Sequence, residues 1–292
     1  MPSSYGERVV LRLLDKQAAQ INIGDLGLPN SILRNYKNAL QLSEGIILVT
    51  GPTGSGKTTT LYSGLRHISD TSQNILTVED PIEYTLPGIG QTQVNNKAGY
   101  DFASGLRSIL RQDPDIVMVG EIRDIETAKI AIQASLTGHL VLSTIHTNSA
   151  IGAIARLRDM GIESYLLSSS LRVVIAQRLV RRLCEDCKTP VKPSATIQKE
   201  FQLEKNENIY QAVGCANCNN TGFKGRIALA ECINISDELK ALIHDEASEA
   251  KLAESAFKEN LSLDLSSSQL LRDGLTSYEE LLRVQNHQDA NL

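Results

Sequence analysis

Apolar, β-prone residues gather in four short runs, Ile46–Thr50, Ile75–Glu79, Ile116–Val119 and Leu140–Thr144. Mixed polar and apolar stretches near residues 59–68, 101–111 and 124–136 separate them. Runs this short, bounded by polar segments, read as buried strands, and the longer stretches between them as helices. Strands alternating with helices predict an α/β fold, a parallel sheet in three layers. In such a sheet ligands sit at the carboxyl ends of the strands. Upstream, residues 7–14 read as a strand and residues 30–43 as a helix behind Pro29. The strand starts almost at Met1 with no room for sheet partners before it, so the expectation is that the chain begins inside a domain. From Cys184 a cysteine-punctuated loop region runs through Arg226, followed by helical segments near 236–244, 247–258 and 276–286. The expected organisation is residues 1–40 as the tail of an N-terminal domain with its linker, 41–183 as the α/β core, 184–226 as a cysteine module and 227–292 as a C-terminal helical part.

The first apolar run empties into Gly51-Pro52-Thr53-Gly54-Ser55-Gly56-Lys57-Thr58, the G-x-x-x-x-G-K-T spacing of a phosphate loop between a strand and a helix. Gly51, Gly54 and Gly56 let successive backbone N–H groups turn toward a β-phosphate, Lys57 spans the β- and γ-phosphates, and the Thr58 hydroxyl is placed for Mg²⁺. With Pro52, Thr53, Ser55 and Thr59 these residues form the expected cradle for a nucleoside triphosphate and Mg²⁺.

Phosphoryl transfer to water needs a group that orients or deprotonates the water, a held Mg²⁺, and positive charge on the developing γ-phosphate oxygens. Two strands end in acids at the sheet edge that carries the loop, one in Glu79-Asp80 and the other in Gly120-Glu121. Glu79 and Glu121 are therefore the candidates for base and metal partner. Gly120 stands where a metal-liaising Asp is usual, so Glu121 serves the metal with Glu79 as base, or the roles reverse. The last run has a histidine at each end. His146, at the carboxyl end, can sense a γ-phosphate, and His139 is structural or acts at second hand.

Composition narrows the partners. A formal charge of −5, 4% aromatic residues and no Trp give neither a basic field nor a base-stacking platform, so no direct nucleic acid is expected. No run approaches ~18 apolar residues, and the first residues lack the apolar stretch of a signal peptide. The expectation is a cytoplasmic chain with at most peripheral membrane association. Five cysteines in a reducing compartment argue for metal or free thiols. Cys184-x-x-Cys187 and Cys215-x-x-Cys218 are two knuckles that together suit a closed structural Zn²⁺ site. Residues 188–214 between them make a gap longer than usual and imply a small insertion. Cys232 is left over as a small hydrophobe.

Taken in order, GPTGSGKT, TVEDPIE, IVMVGEIRD and TGHLVLSTIHTN resemble the Walker A, Asp box, Walker B and His box of the secretion-superfamily hexameric ATPases of type II secretion and type IV pilus assembly. The stretches 6–16 and 177–184 look most like the type II secretion (general secretion pathway protein E) family, with the pilus extension ATPases as near relatives. The resemblance implies ATP as the triphosphate, a RecA-like ATPase core behind the remnant of a PAS-like domain, a homo-hexamer on the cytoplasmic face of the inner membrane, and platform and recruitment proteins there as partners. It also implies the zinc module, which pilus retraction ATPases lack. The family carries a further N-terminal docking region, so the chain reads as a fragment or an N-terminally truncated member. Arg107 and Arg111, at i and i+4, are expected on one helix face as a fork for γ-phosphate charge across a subunit boundary, with Arg8 and Arg12 as weaker candidates. The competing arrangement pairs both with acids of their own subunit. The alternatives from other classes are a nucleic-acid motor, with the basic run at Arg178–Arg182 in its favour, and a non-hydrolysing regulatory paralogue.

Overall fold

The computed structural model describes residues 2–3, 6–7, 9, 21–70 and 72–289. The strand expected over residues 7–14, with Arg8 and Arg12, lies outside the described residues apart from Glu7 and Val9. In chain order the elements begin with β1 (Pro2–Ser3), β2 (Gly6–Glu7), α1 (Asn30–Ala39), β3 (Gly45–Thr50), α2 (Lys57–Ile68), β4 (Ile75–Glu79) and β5 (Gly90–Gln93). They continue with α3 (Phe102–Ile109), β6 (Ile116–Val119), α4 (Ile125–Leu136), β7 (Leu140–Ile145), α5 (Ala150–Asp159), α6 (Ser164–Ser170) and β8 (Leu171–Leu183). The remainder is β9 (Thr189–Val191), α7 (Ala195–Glu200), β10 (Ile209–Gln211), β11 (Phe223–Asn234), α8 (Asp237–His244), α9 (Glu249–Ala256), α10 (Leu263–Arg272) and α11 (Tyr278–Asp289).

The main sheet has the order β11-β8-β3-β7-β6-β4-β5. Its strands are parallel except β11, which runs antiparallel along the edge of β8. Every residue of β3, β6 and β7 is buried, the pattern of strands covered on both faces, and this is why they read as continuous apolar runs. Their side chains still alternate between two cores. Ile46, Leu48, Val117, Val119, Val141 and Ile145 face a cluster with α3, α4, α5, α8 and α9. Ile47, Val49, Ile116, Met118, Leu140 and Leu142 face one with α1 and α2. The three-layer expectation is met, with an antiparallel edge that the sequence pattern did not indicate. A third cluster gathers Val180, Leu229, Phe201, Ile209, Leu271 and Leu281, so the cysteine region and the last helices share a core with the far halves of β8 and β11.

Helix starts follow capping chemistry. Asp101, Asp124 and Ser149 each accept a backbone N–H of the following turn, from Ser104, Thr127 and Gly152. α3 stops at Ile109, earlier than its sequence pattern. Asp113, with φ +52°, precedes Pro114, which disfavours helical backbone in the preceding residue. Arg111 therefore lies in the turn beyond α3, its N–H bonded in the tighter i−3 manner to Ser108 O, and the expectation that it shares a helix with Arg107 is corrected. Among the described residues no helix is long and apolar enough to cross a membrane.

Candidate functional site

Gly51-Pro52-Thr53-Gly54-Ser55-Gly56 connects the carboxyl end of β3 to the first turn of α2. Glycine is required at both ends of this loop. A Cβ on Gly51 (φ +142°) would sit 2.2 Å from Gln177 O, and one on Gly56 (φ +88°) 2.9 Å from Gln177 Nε2. The loop's N–H groups and the positive end of α2 give an anion-binding terminus. Lys57 folds back over the loop, donating to the carbonyls of Gly51 at 2.8 Å and Pro52 at 3.1 Å. Burial draws its pKa down and Glu121 opposes this. Thr58 stands exposed in the same first turn.

The wall opposite is the segment after β7. Gly51 and Pro52 line one shallow pocket together with His146, Thr147 and Asn148. The two sides are stitched by Thr50, whose Oγ1 accepts from Thr147 N at 2.9 Å and donates to Ile145 O at 2.8 Å. Glu121, at the end of β6, is mostly buried and pairs with Arg123 and with His146 Nε2, the latter at 3.3 Å. Burial, then the positive charges of Lys57 and Arg123, lower the His146 pKa against the pull of Glu121. The imidazole is thereby biased to the neutral form near neutral pH. Lys57, Glu121 and Arg123, with the His146 imidazole, thus form one polar cluster beside the loop.

Glu79 ends β4 in different company. Its carboxylate is buried and accepts from Thr77 Oγ1 at 2.6 Å, Gln91 Nε2 at 3.0 Å and the Tyr62 hydroxyl. Burial and the bond to Glu79 raise the Tyr62 pKa. His139, at the opposite end of β7, donates from Nδ1 to Ala134 O at 2.9 Å, which ties down the last turn of α4. Arg107 pairs with Glu126 of α4 in its own chain. Both side chains are about half exposed, and a pair of this kind contributes roughly 0–1 kcal/mol. Neither Arg107 nor Arg111 lines the pocket. Sequence reasoning missed Arg123, Thr50 and Gln177; Arg123 stood two residues from Glu121, whereas the other two are polar groups inside apolar strands.

The four cysteines of the two knuckles converge. All four Sγ atoms lie within 4.8 Å of one another, with Cys184–Cys215 and Cys187–Cys218 at 3.9 Å and Cys215–Cys218 at 3.8 Å. Zn–S bonds of about 2.3 Å set tetrahedral S···S edges of about 3.8 Å, so this donor set fits a four-coordinate ion. Backbone N–H groups of Gly214, Cys215 and Gly222 point at the Cys187 and Cys218 sulfurs at 3.2–3.3 Å. Burial opposes ionisation of Cys218, but these N–H bonds and the neighbouring thiols bring its pKa down to about 6. The inserted residues are β9 and β10 paired antiparallel, with α7 between them. Cys232 is buried apart from the cluster in the core under α1.

The comparisons agree with this arrangement. A family model described as type II/IV secretion system protein matches residues 1–283. Over 286 residues the chain is 54% identical to the type II secretion system ATPase E of Vibrio cholerae, covering 97% of this chain and 57% of that protein. It is 53% identical over the same length to the type II secretion system protein E of Pseudomonas aeruginosa, with the same coverage of each. The chain thus spans a little over half the length of these curated relatives. Among solved structures, the pilus retraction motor PilT with bound ADP superposes with a TM-score of 0.69 at 29% identity, over 90% of this chain and 66% of that one. The ATPase DotB of Legionella pneumophila superposes with a TM-score of 0.66 at 24% identity, over 91% and 66%, a likeness of fold alone. The sheet and its flanking helices match the ATPase fold that the resemblance implies.

Proposed function

The chain belongs to the type II/IV secretion system protein family, and from that membership we propose that it is the ATP-hydrolysing part of a cytoplasmic motor that powers pseudopilus assembly in type II protein secretion. The observation that carries this reading is the phosphate loop closed by Lys57, with Glu121 and His146 in one polar cluster beside it. Identity of 54% over 286 residues to a type II secretion ATPase supports the secretion reading, with pilus extension as the alternative.

In this reading residues 51–59 hold the nucleotide, and Thr58 with Glu121 serves Mg²⁺. Bound Mg²⁺ supplies charge neutralisation on the phosphate oxygens. Glu79 orients the attacking water, which requires one of its three donors, Tyr62, Thr77 or Gln91, to give way to that water. Cys184, Cys187, Cys215 and Cys218 hold a structural Zn²⁺. The acting assembly is a homo-hexamer docked to inner-membrane partners of the secretion machine. The core at 41–183, whose sheet takes in β11, the cysteine module at 184–226 and the helices that follow β11 within 227–292 are its working units, behind the PAS-like remnant at 1–40.

Glu79→Gln and Glu121→Gln are each expected to lower steady-state phosphate release about 10²-fold or more. Only Glu121→Gln is expected to weaken Mg²⁺ binding, and the reverse pattern would exchange the two roles. The assembly is tested by mixing. In an assembly Arg107 and Arg111 leave their own-chain surroundings and meet the neighbour's γ-phosphate, a role that the weak Arg107–Glu126 surface pair permits. Specific activity should then rise with protein concentration. A chain carrying Arg107→Ala and Arg111→Ala should recover activity when mixed with a Lys57→Ala chain, since each supplies what the other lacks. Concentration-independent turnover with no rescue contradicts a shared site.

A further inference from the structure

β8 lies beside β3 in parallel register, with Ala176 opposite Thr50, so Gln177 comes level with the start of the phosphate loop. A glutamine is an unusual resident of the buried stretch Val173–Arg178 of this strand, because each unpartnered amide group there costs about 1–3 kcal/mol. Here both ends of the buried amide are used. Nε2 donates to Ser55 O at 2.8 Å, in the middle of the loop, and Oε1 accepts from Thr60 Oγ1 at 2.8 Å, in the opening turns of α2. The same residue approaches both tight points of the loop, its carbonyl at Gly51 and its Nε2 at Gly56. Its neighbour Arg178 donates to Asn148 O at 2.9 Å, in the opposite wall of the pocket.

We propose that Gln177 is a positioning residue for the nucleotide site: its amide bridges the loop to α2 and sets the direction of the backbone N–H groups that receive the phosphates. The inference rests on the nucleotide-binding reading above. Only a side chain with a donor and an acceptor of this reach can hold both partners. Glutamate keeps the acceptor for Thr60 and puts an oxygen against the Ser55 carbonyl, and leucine offers neither bond. Gln177 touches protein groups only, so its effect on the ligand passes through the loop.

The test is binding of MgADP to the full chain by calorimetry, well below the unfolding temperature, for wild type, Gln177→Leu, Gln177→Glu and Thr60→Val. Displacing a binding loop by about 1 Å is costly, and both Gln177 variants are expected to weaken MgADP about tenfold or more. Thr60→Val leaves the bond to Ser55 and should cost about threefold. Ile175→Val, a buried β8 change next door, is the control: it lowers the unfolding midpoint and leaves MgADP affinity unchanged. Wild-type affinity in a folded Gln177→Leu chain overturns the inference and leaves the nucleotide reading standing. If neither Gln177 variant folds, wild-type affinity in Thr60→Val overturns it. Failure of the wild-type chain to bind MgADP overturns both.

Discussion

Lys57→Ala is expected to reduce steady-state phosphate release from Mg²⁺ and ATP by about 10²-fold or more, with the fold intact. Two observations carry the size of this effect. The ammonium sits at the opening of α2, where it is the cation that reaches over the loop, and its own contacts are to the loop carbonyls of Gly51 and Pro52. In the proposed reading, phosphates in the loop take over those two bonds, and the lysine is then expected to contribute most to the charged state that the reaction develops. Its side chain lies outside all three apolar cores, so truncation leaves the packing in place. Phosphate release and the thermal unfolding midpoint, measured on the same preparation, check both halves. Turnover near that of wild type would remove Lys57 from the chemistry. A large drop in the midpoint would assign the loss to unfolding.

The elements legible in the sequence share a physical cause. β4 and β6 fall on the expected residues and β3 and β7 within one residue, because strands covered on both faces must be continuously apolar and must break sharply at the loops. β8 and β11 were missed because each carries buried polar residues in mid-strand: Gln177 and Arg178 in one, Glu231 in the other. Those groups are tolerated through partners far away in sequence. Glu231 accepts from Ala150 N at 2.6 Å at the start of α5 and from Leu263 N near α10, and no local pattern announces such partners. The same holds for Glu79. Its strand-end position is visible, but the enclosure by Tyr62 and Gln91 comes from two other elements. The cysteine knuckles and the phosphate loop were legible for the opposite reason, since each packs most of its chemistry into a few consecutive residues.

The second large effect is expected on removing the Zn²⁺ proposed for the cysteine site. The fitted tetrahedron of sulfurs predicts about one Zn²⁺ per chain by atomic absorption, and Cys184→Ser or Cys218→Ser should lower it. For so small a module the binding energy is folding energy, about 10–16 kcal/mol in isolated zinc-finger peptides, so chelation should release residues 184–226 to proteolysis. Part of that loss is offset here, because β9 and β10 pair and the module shares the Phe201, Ile209 and Leu271 core with α10 and α11. Cys184 follows the last residue of β8, and its N–H is bonded to Gly222 O at 3.0 Å. Gln177 lies seven residues earlier on that strand, roughly 23 Å away at the usual rise per residue. The strand between them is paired with β11, from Gln177 opposite Ala230 to Arg181 opposite Arg226 and again at Leu183 opposite Phe223, whereas its pairing with β3 ends at Ala176. Unravelling at the metal end should therefore stop short of the phosphate loop, and an EDTA-treated chain should keep MgADP affinity within about threefold while its cysteine module is cut. A metal-free sample with full resistance to proteolysis would show that the four thiols pack without an ion. Loss of MgADP binding in step with zinc would show that the two sites unfold as one unit.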